Sequence, residues 1–142
     1  MKNDIDIDIT IPCHTRYLRM IGRIGEKVAE EVDCTEGARE TLSNQLTIVL
    51  TEGLVNAIKH ANSADPNKEV HVRINISNKN LVVRIYDNGV GFDLDAVPSP
   101  CFTAYGMEDK GRGIFILKSL MDTVKYTRSD EGNVLEMKKK LA

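Results

Sequence analysis

The sequence predicts an α/β chain of the α+β kind, with about five strands and about three helices. Three observations carry that expectation. Isoleucine alternates strictly with polar residues from Asp4 to Ile11, and alternation returns at Val70, Val72, Ile74 and Ile76 and again at Leu81, Val83 and Ile85. Elsewhere apolar residues recur at three- and four-residue spacing, the mark of helices with one packed face. Turn chemistry at Asn78-Lys79-Asn80 and Ser129-Asp130-Glu131-Gly132 folds neighbouring strands back on one another, so most pairing is antiparallel.

Taken in order, Asp4 to Ile11 is a half-buried strand; Pro12 ends it and assigns it to a sheet margin, where a second chain could pair. From Thr15 to Val32 a helix is expected, with Leu18, Ile21, Ile24 or Gly25, Val28 and Val32 inward and a charged face in solvent. A shorter helical piece near Glu36 to Leu42 leads into a central helix capped by Ser43 or Asn44. After loop residues Ser63 to Lys68, a hairpin delivers Asp87 at its far end. Leu94 to Lys110 shows no period and contains Pro98, Pro100 and Gly106; such long loops often serve as lids or binding segments. Gly111-Arg112-Gly113 opens a helix packed through Ile114, Leu117, Leu120 and Met121, and Asp122 to Thr127 pairs with Asn133 to Leu141.

With 142 residues, 42% hydrophobic and 28% charged, the chain suits one domain with one core. A net charge of −2 with both signs interspersed lacks the basic footprint of a nucleic-acid binder or a membrane-surface helix, so neither partner is expected. Cys13, Cys34 and Cys101 have no metal-ligand spacing and read as reduced thiols, which with the absence of a membrane-length apolar run suggests a cytoplasmic address.

The chemistry is expected in Thr51 to Asn62. Glu52, Asn56 and His60 recur there at four-residue spacing, with Leu50, Leu54, Ala57 and Ala61 nearly opposite. A solvated stripe is the ordinary reading of such a pattern. Against it, Val49 projects between Glu52 and Asn56, and Ile48 and Val55 flank them, so the polar groups emerge from partly apolar surroundings and need partners. Gly53 costs about 1 kcal/mol relative to alanine inside a helix and would allow a close backbone approach. Two glycine-rich turns follow, Asp87 to Asp93 (DNGVGFD) and Gly111 to Leu117 (GRGIFIL). The first is no dinucleotide fingerprint, because Leu94 stands where a third glycine would be, and the chain has no GxxxxGK[ST] phosphate loop.

The three boxes together, Glu52-xxx-Asn56-Ala57-xx-His60, Asp87-x-Gly89-x-Gly91 and Gly111-x-Gly113 before an apolar helix, resemble the ATP-binding domain shared by gyrase, heat-shock chaperones, histidine kinases and mismatch-repair ATPases. Within that superfamily the chain is similar to the short anti-sigma-factor and serine-protein-kinase branch. The resemblance runs from about Ile5 to Leu141. It implies one domain over residues 1–142 with the Bergerat-type ATP-binding fold: a two-layer sandwich whose mixed, mostly antiparallel sheet of about five strands is covered on one face by about three helices.

The resemblance also implies roles. Asp87 would accept a hydrogen bond from the adenine amino group, and Gly89 and Gly91 would let the backbone approach the nucleotide. Asn56 would help hold Mg²⁺, and Glu52 would act as general base. Gly111 and Gly113 would offer N–H groups to the phosphates, with Lys110 or Arg112 as the compensating cation. Lys59 and His60 belong to the nucleotide-binding set, although His60 is equally open to a packing or capping role. Kinases of this branch often carry an arginine just before the second glycine turn, where this chain has Asp109-Lys110. The implied function is an ATP-binding anti-sigma factor that phosphorylates a small STAS-type antagonist and sequesters a sigma factor or similar target, as a homodimer. Two other readings stay open: a nucleotide-gated adaptor without kinase activity, and a histidine-kinase-type ATPase domain, for which only His14 precedes the central helix as an acceptor.

Overall fold

The computed structural model describes residues 4–61, 65, 67–89, 102–103, 106–107 and 109–141. Its main sheet has the order β1-β2-β3-β7-β6, from β1 (Ile5–Pro12), β2 (Glu69–Ser77), β3 (Asn80–Asp87), β6 (Thr123–Ser129) and β7 (Gly132–Lys140). All four pairings are antiparallel, so the sheet contains no parallel component among the described residues. The reason is local: two-residue turns join β2 to β3 and β6 to β7. Asn78 and Lys79 both take positive φ (52° and 62°), the twist a tight hairpin requires. As its alternation and Pro12 predict, β1 lies at a margin.

Three helices, α1 (Leu18–Glu30), α2 (Glu36–Asn56) and α3 (Asp109–Leu120), bury their apolar faces, with α2 packed against both α1 and α3. The core joins Val70, Val72, Ile74, Leu81, Val83, Ile85, Leu135 and Met137 of the sheet to Ile21, Leu46, Leu50, Leu54, Ile114 and Leu117 of the helices. Helices α1 and α2 approach closely at Gly25, where a Cβ would stand 2.8 Å from Leu50 Cδ1. The opposite face of the sheet carries the ion pairs of Asp6 with Arg73 and Arg84 with Glu136, and places His71 beside Asp8.

The central helix is longer than its sequence suggests. Thr35, not Ser43 or Asn44, is the cap: its backbone is extended and its Oγ1 accepts the Ala38 N–H at 3.2 Å. The separate piece expected at Glu36 to Leu42 is the first part of α2, because Leu42, Leu46, Val49 and Leu50 continue one buried stripe across the supposed break. Arg39 ties this start to the end of α1, donating from Nη2 to the Val32 and Cys34 carbonyls at 3.2 Å each. The Cys13 Sγ donates to the Ile58 carbonyl at 3.8 Å and the Cys34 Sγ to the Val32 carbonyl at 3.6 Å, and Cys101 lies outside the described residues. Most of the loop expected over Leu94 to Lys110 also lies outside them, but Phe102–Thr103 (β4) and Gly106–Met107 (β5) form a short antiparallel pair within it.

Candidate functional site

The site is set by how closely α2 rests on the sheet. At Gly53 a Cβ would come within 2.6 Å of Ile85 Cδ1 and 3.3 Å of Met137 Cε. Gly53 is therefore the position where the helix backbone lies against β3 and β7, and the close approach expected there is to the sheet. Asp87 ends β3 two residues beyond Ile85 and on the same buried face, and Glu52 and Asn56 flank Gly53 on α2.

Glu52 is half-buried, and its Oε2 lies 3.0 Å from where a Cβ on Gly113 would be, so α2 meets the start of α3 at this carboxylate. Helix α3 begins at Asp109, two residues earlier than the glycine turn suggests. The N–H of Gly111 falls in the first turn, where no intrahelical acceptor is in reach, whereas Gly113 sits deeper, where the N–H is bonded within the helix. Gly113 accordingly contributes room for Glu52 rather than a free donor. Lys110 and Arg112 share this first turn; their side chains lie outside the described residues.

One turn along α2 from Glu52, Asn56 is 8% exposed and its Nδ2 has no hydrogen-bond partner among the described residues. A buried amide nitrogen without an acceptor costs about 1–3 kcal/mol, which marks this side chain for a ligand atom. An amide can present either its nitrogen or its oxygen, so the residue suits a phosphate oxygen or a divalent cation. After Asn56 the helix widens into a π turn, Ala57–Ala61, a form frequent at functional sites. Lys59 is exposed there. The His60 backbone belongs to the same turn, where the 3.6-residue register that aligned it with Glu52 ends; its side chain is outside the described residues.

Asp87 is 3% exposed and held from three directions. Its Oδ1 accepts the Gly89 N–H at 3.0 Å and Asn133 Nδ2 at 2.8 Å, while its Oδ2 accepts the Tyr126 hydroxyl at 3.2 Å. Asn133 Nδ2 also donates to the Gly89 carbonyl at 2.9 Å. Gly91 lies outside the described residues. Asn133 and Tyr126 were not singled out in the sequence. Asn133 left one signal, as a polar residue on the inward side of a strand whose next inward residues are Leu135 and Met137.

The structure thus brings Glu52 of α2 against Gly113 of α3, rests the adjacent Gly53 on Ile85, two residues before Asp87, and joins Asp87 to Gly89 by a hydrogen bond. Residues 11–139 match the family model of the histidine kinase-like ATPase domain, and the chain belongs to that family. Among its relatives, the serine-protein kinase RsbW of Bacillus subtilis (strain 168) is 30% identical, over 88% of this chain and 80% of the relative. The protein of that name from Listeria innocua serovar 6a is 34% identical, over 94% and 85%. The anti-sigma F factor of Clostridium perfringens (strain 13 / Type A) is 30% identical, over 72% and 74%. Two solved structures share the fold. The RsbU and RsbW domains of a Mycobacterium tuberculosis protein superpose with a TM-score of 0.62 at 11% identity, covering 96% of this chain and 32% of that one. A blue-light activated histidine kinase of Erythrobacter litoralis gives 0.57 at 22%, covering 92% and 42%.

Proposed function

We propose that this chain is a single-domain, ATP-binding anti-sigma factor with serine-protein kinase activity. It phosphorylates a serine on a small STAS-type antagonist and sequesters a sigma factor or similar target, in the cytoplasm. The observation that carries the reading is Glu52, half-buried against Gly113 of α3 and one turn from Asn56, beside Gly53, which rests on Ile85 of the strand that ends in Asp87.

On this reading Glu52 is the general base that takes the proton from the serine hydroxyl. Asp87 accepts a hydrogen bond from the adenine amino group, and Gly89 with Gly91 leaves space for the ring. The Gly111 N–H, at a helix start, and the cations of Lys59, Lys110 and Arg112 hold the triphosphate. His60 contacts the nucleotide or packs the end of α2. Asn56 is the residue that would hold Mg²⁺ or a phosphate oxygen; the ion, when bound, neutralises charge on the phosphates.

The test is transfer from labelled ATP to candidate antagonists. Glu52→Ala should lower transfer about 10²-fold or more while nucleotide binding persists. Transfer that survives the substitution overturns the base assignment. The adaptor reading is favoured by Asp109-Lys110 standing where kinases of this branch often have arginine; it expects ATP binding, lost in Asp87→Asn, without transfer to any partner.

A homodimer is part of the proposal. The outer edge of β1 faces no strand among the described residues, and a groove of about 1080 Å³ between β1 and α1 is lined by Ile5, Ile7, Met20 and Ile24. A monomer in sedimentation at high concentration with nucleotide would remove it.

A further inference from the structure

The hydrogen bonds around Asp87 define more than a buried carboxylate. An ionised carboxylate accepts through about four lone-pair positions, two on each oxygen. Oδ1 has both occupied, by Gly89 N–H and Asn133 Nδ2, and Oδ2 has one occupied, by Tyr126. Among the described residues one acceptor position is left, on Oδ2.

Asn133 can be oriented in only one way. It faces two acceptors, Asp87 Oδ1 at 2.8 Å and the Gly89 carbonyl at 2.9 Å, so the amide nitrogen must point at them and both its hydrogens are used. Asn133 is also the cross-strand partner of Asp87 in the β3–β7 ladder, and Tyr126 stands on β6, the next strand out. The preceding Gly132 adopts φ +136°, and a Cβ there would lie 2.8 Å from Asn88 Oδ1 and 3.2 Å from the Asp87 carbonyl oxygen. A side chain at that point is excluded by conformation and by space, so the β6–β7 turn presses directly on the turn that follows Asp87.

We propose that Asn133 and Tyr126 are positioning residues that fix the Asp87 carboxylate and leave one Oδ2 acceptor for the ligand. The site then takes a base presenting an amino donor at that edge and rejects one presenting a carbonyl. This rests on the adenine-nucleotide reading above and assigns its base selectivity to the closing hairpin. Without Asn133 the carboxylate keeps only Gly89 and Tyr126 and can rotate, so the vacated Oδ1 position becomes a second acceptor with no fixed direction.

The experiment is isothermal titration of the full chain with ATP and with inosine triphosphate, which carries a carbonyl in place of the amino group, alongside thermal unfolding without nucleotide. Wild-type protein should favour ATP about tenfold or more, as expected for a hydrogen bond to a charged group. Asn133→Ala should reduce that ratio to about threefold or less, chiefly through weaker ATP binding, and Asn133→Ser, which keeps one donor for Asp87, should recover part of it. Tyr126→Phe should lower the ratio by a smaller factor. An Asn133→Ala protein that keeps the wild-type ratio, or loses affinity for both triphosphates in equal proportion, overturns the proposal. If the alanine variant does not fold, wild-type ratios in both Asn133→Ser and Tyr126→Phe overturn it equally. Wild-type protein that binds both triphosphates alike defeats this inference and leaves the ATP reading standing; wild-type protein that binds neither removes both.

Discussion

Asp87 and Asn56 are both buried polar side chains, yet their surroundings are opposite. Asp87 is met by a backbone N–H, an amide and a phenol, whereas the Asn56 amide nitrogen is met by nothing among the described residues. The end of the site that would read the base is completed by the sheet itself, from strands already paired. The end that would meet phosphate is made of helix termini, where the Asn56 amide nitrogen finds no acceptor among the described residues. Preorganisation at one end and unspent hydrogen-bonding capacity at the other is what a site needs if a ligand is to be oriented by its base and to stabilise the protein through its phosphates.

Breaking both ends together should have the largest effect. Gly53→Val drives a branched side chain into the 2.6 Å approach at Ile85, so Ile85 and Met137 must be pushed aside or α2 must lift from β3. A loss of about 3 kcal/mol in urea unfolding is expected, with nucleotide binding weakened as well. Stability unchanged by this substitution would show that the helix does not depend on that contact.

Asn56→Leu sharpens the contrast by reversing a sign. Removing an unpartnered buried amide should raise unfolding stability without nucleotide by about 1–2 kcal/mol and abolish any further gain on adding ATP. A lower midpoint without nucleotide would contradict the contrast with Asp87.

Gly113→Ala probes the meeting of α2 and α3. Alanine favours a helix over glycine by up to about 1 kcal/mol, but its Cβ would lie 3.0 Å from Glu52 Oε2. The stability change should therefore be small and transfer should slow, because only the end of a flexible carboxylate has to move. Transfer at the wild-type rate would separate Gly113 from the base.

The smallest effect lies on the far face of the sheet, away from both ends. The Arg84 guanidinium holds the Glu136 carboxyl below the usual carboxylate range, against a weaker opposing push from burial. A carboxyl with a depressed folded value contributes stability that is complete above its unfolded value, about 4.3, and is lost as pH falls through the folded one. For this partly exposed pair the loss should be about 0.5 kcal/mol below pH 4, and Glu136→Gln should remove it without changing the ATP preference. A changed preference would tie the open face to the site.

Much of this was legible in the chain. Alternation marked β1, β2 and β3, and turn residues marked both hairpins. Four-residue spacing singled out Glu52 and Asn56 and a glycine turn singled out Asp87, and the structure finds the first half-buried and the other two buried. Other features were not. Ser43 and Asn44 looked like caps because cap chemistry is common to Ser, Thr and Asn, and only the extended backbone at Thr35 selects among them. The start of α3 at Asp109 falls outside the glycine pattern that was used to place it.

What the sequence determined by itself is whatever repeats within a few residues: which stretches are helix or strand, which faces are apolar, and where turns must fall. These follow from backbone geometry and from the periods of two and 3.6 that burial imposes. Only the tertiary structure decided that Gly53 lies on Ile85, that Gly113 makes room for Glu52, and that Asn133 and Tyr126 hold Asp87 across 46 and 39 positions of chain. No local period links such residues, because strand order and helix placement are settled by packing the whole sheet against the whole helical layer.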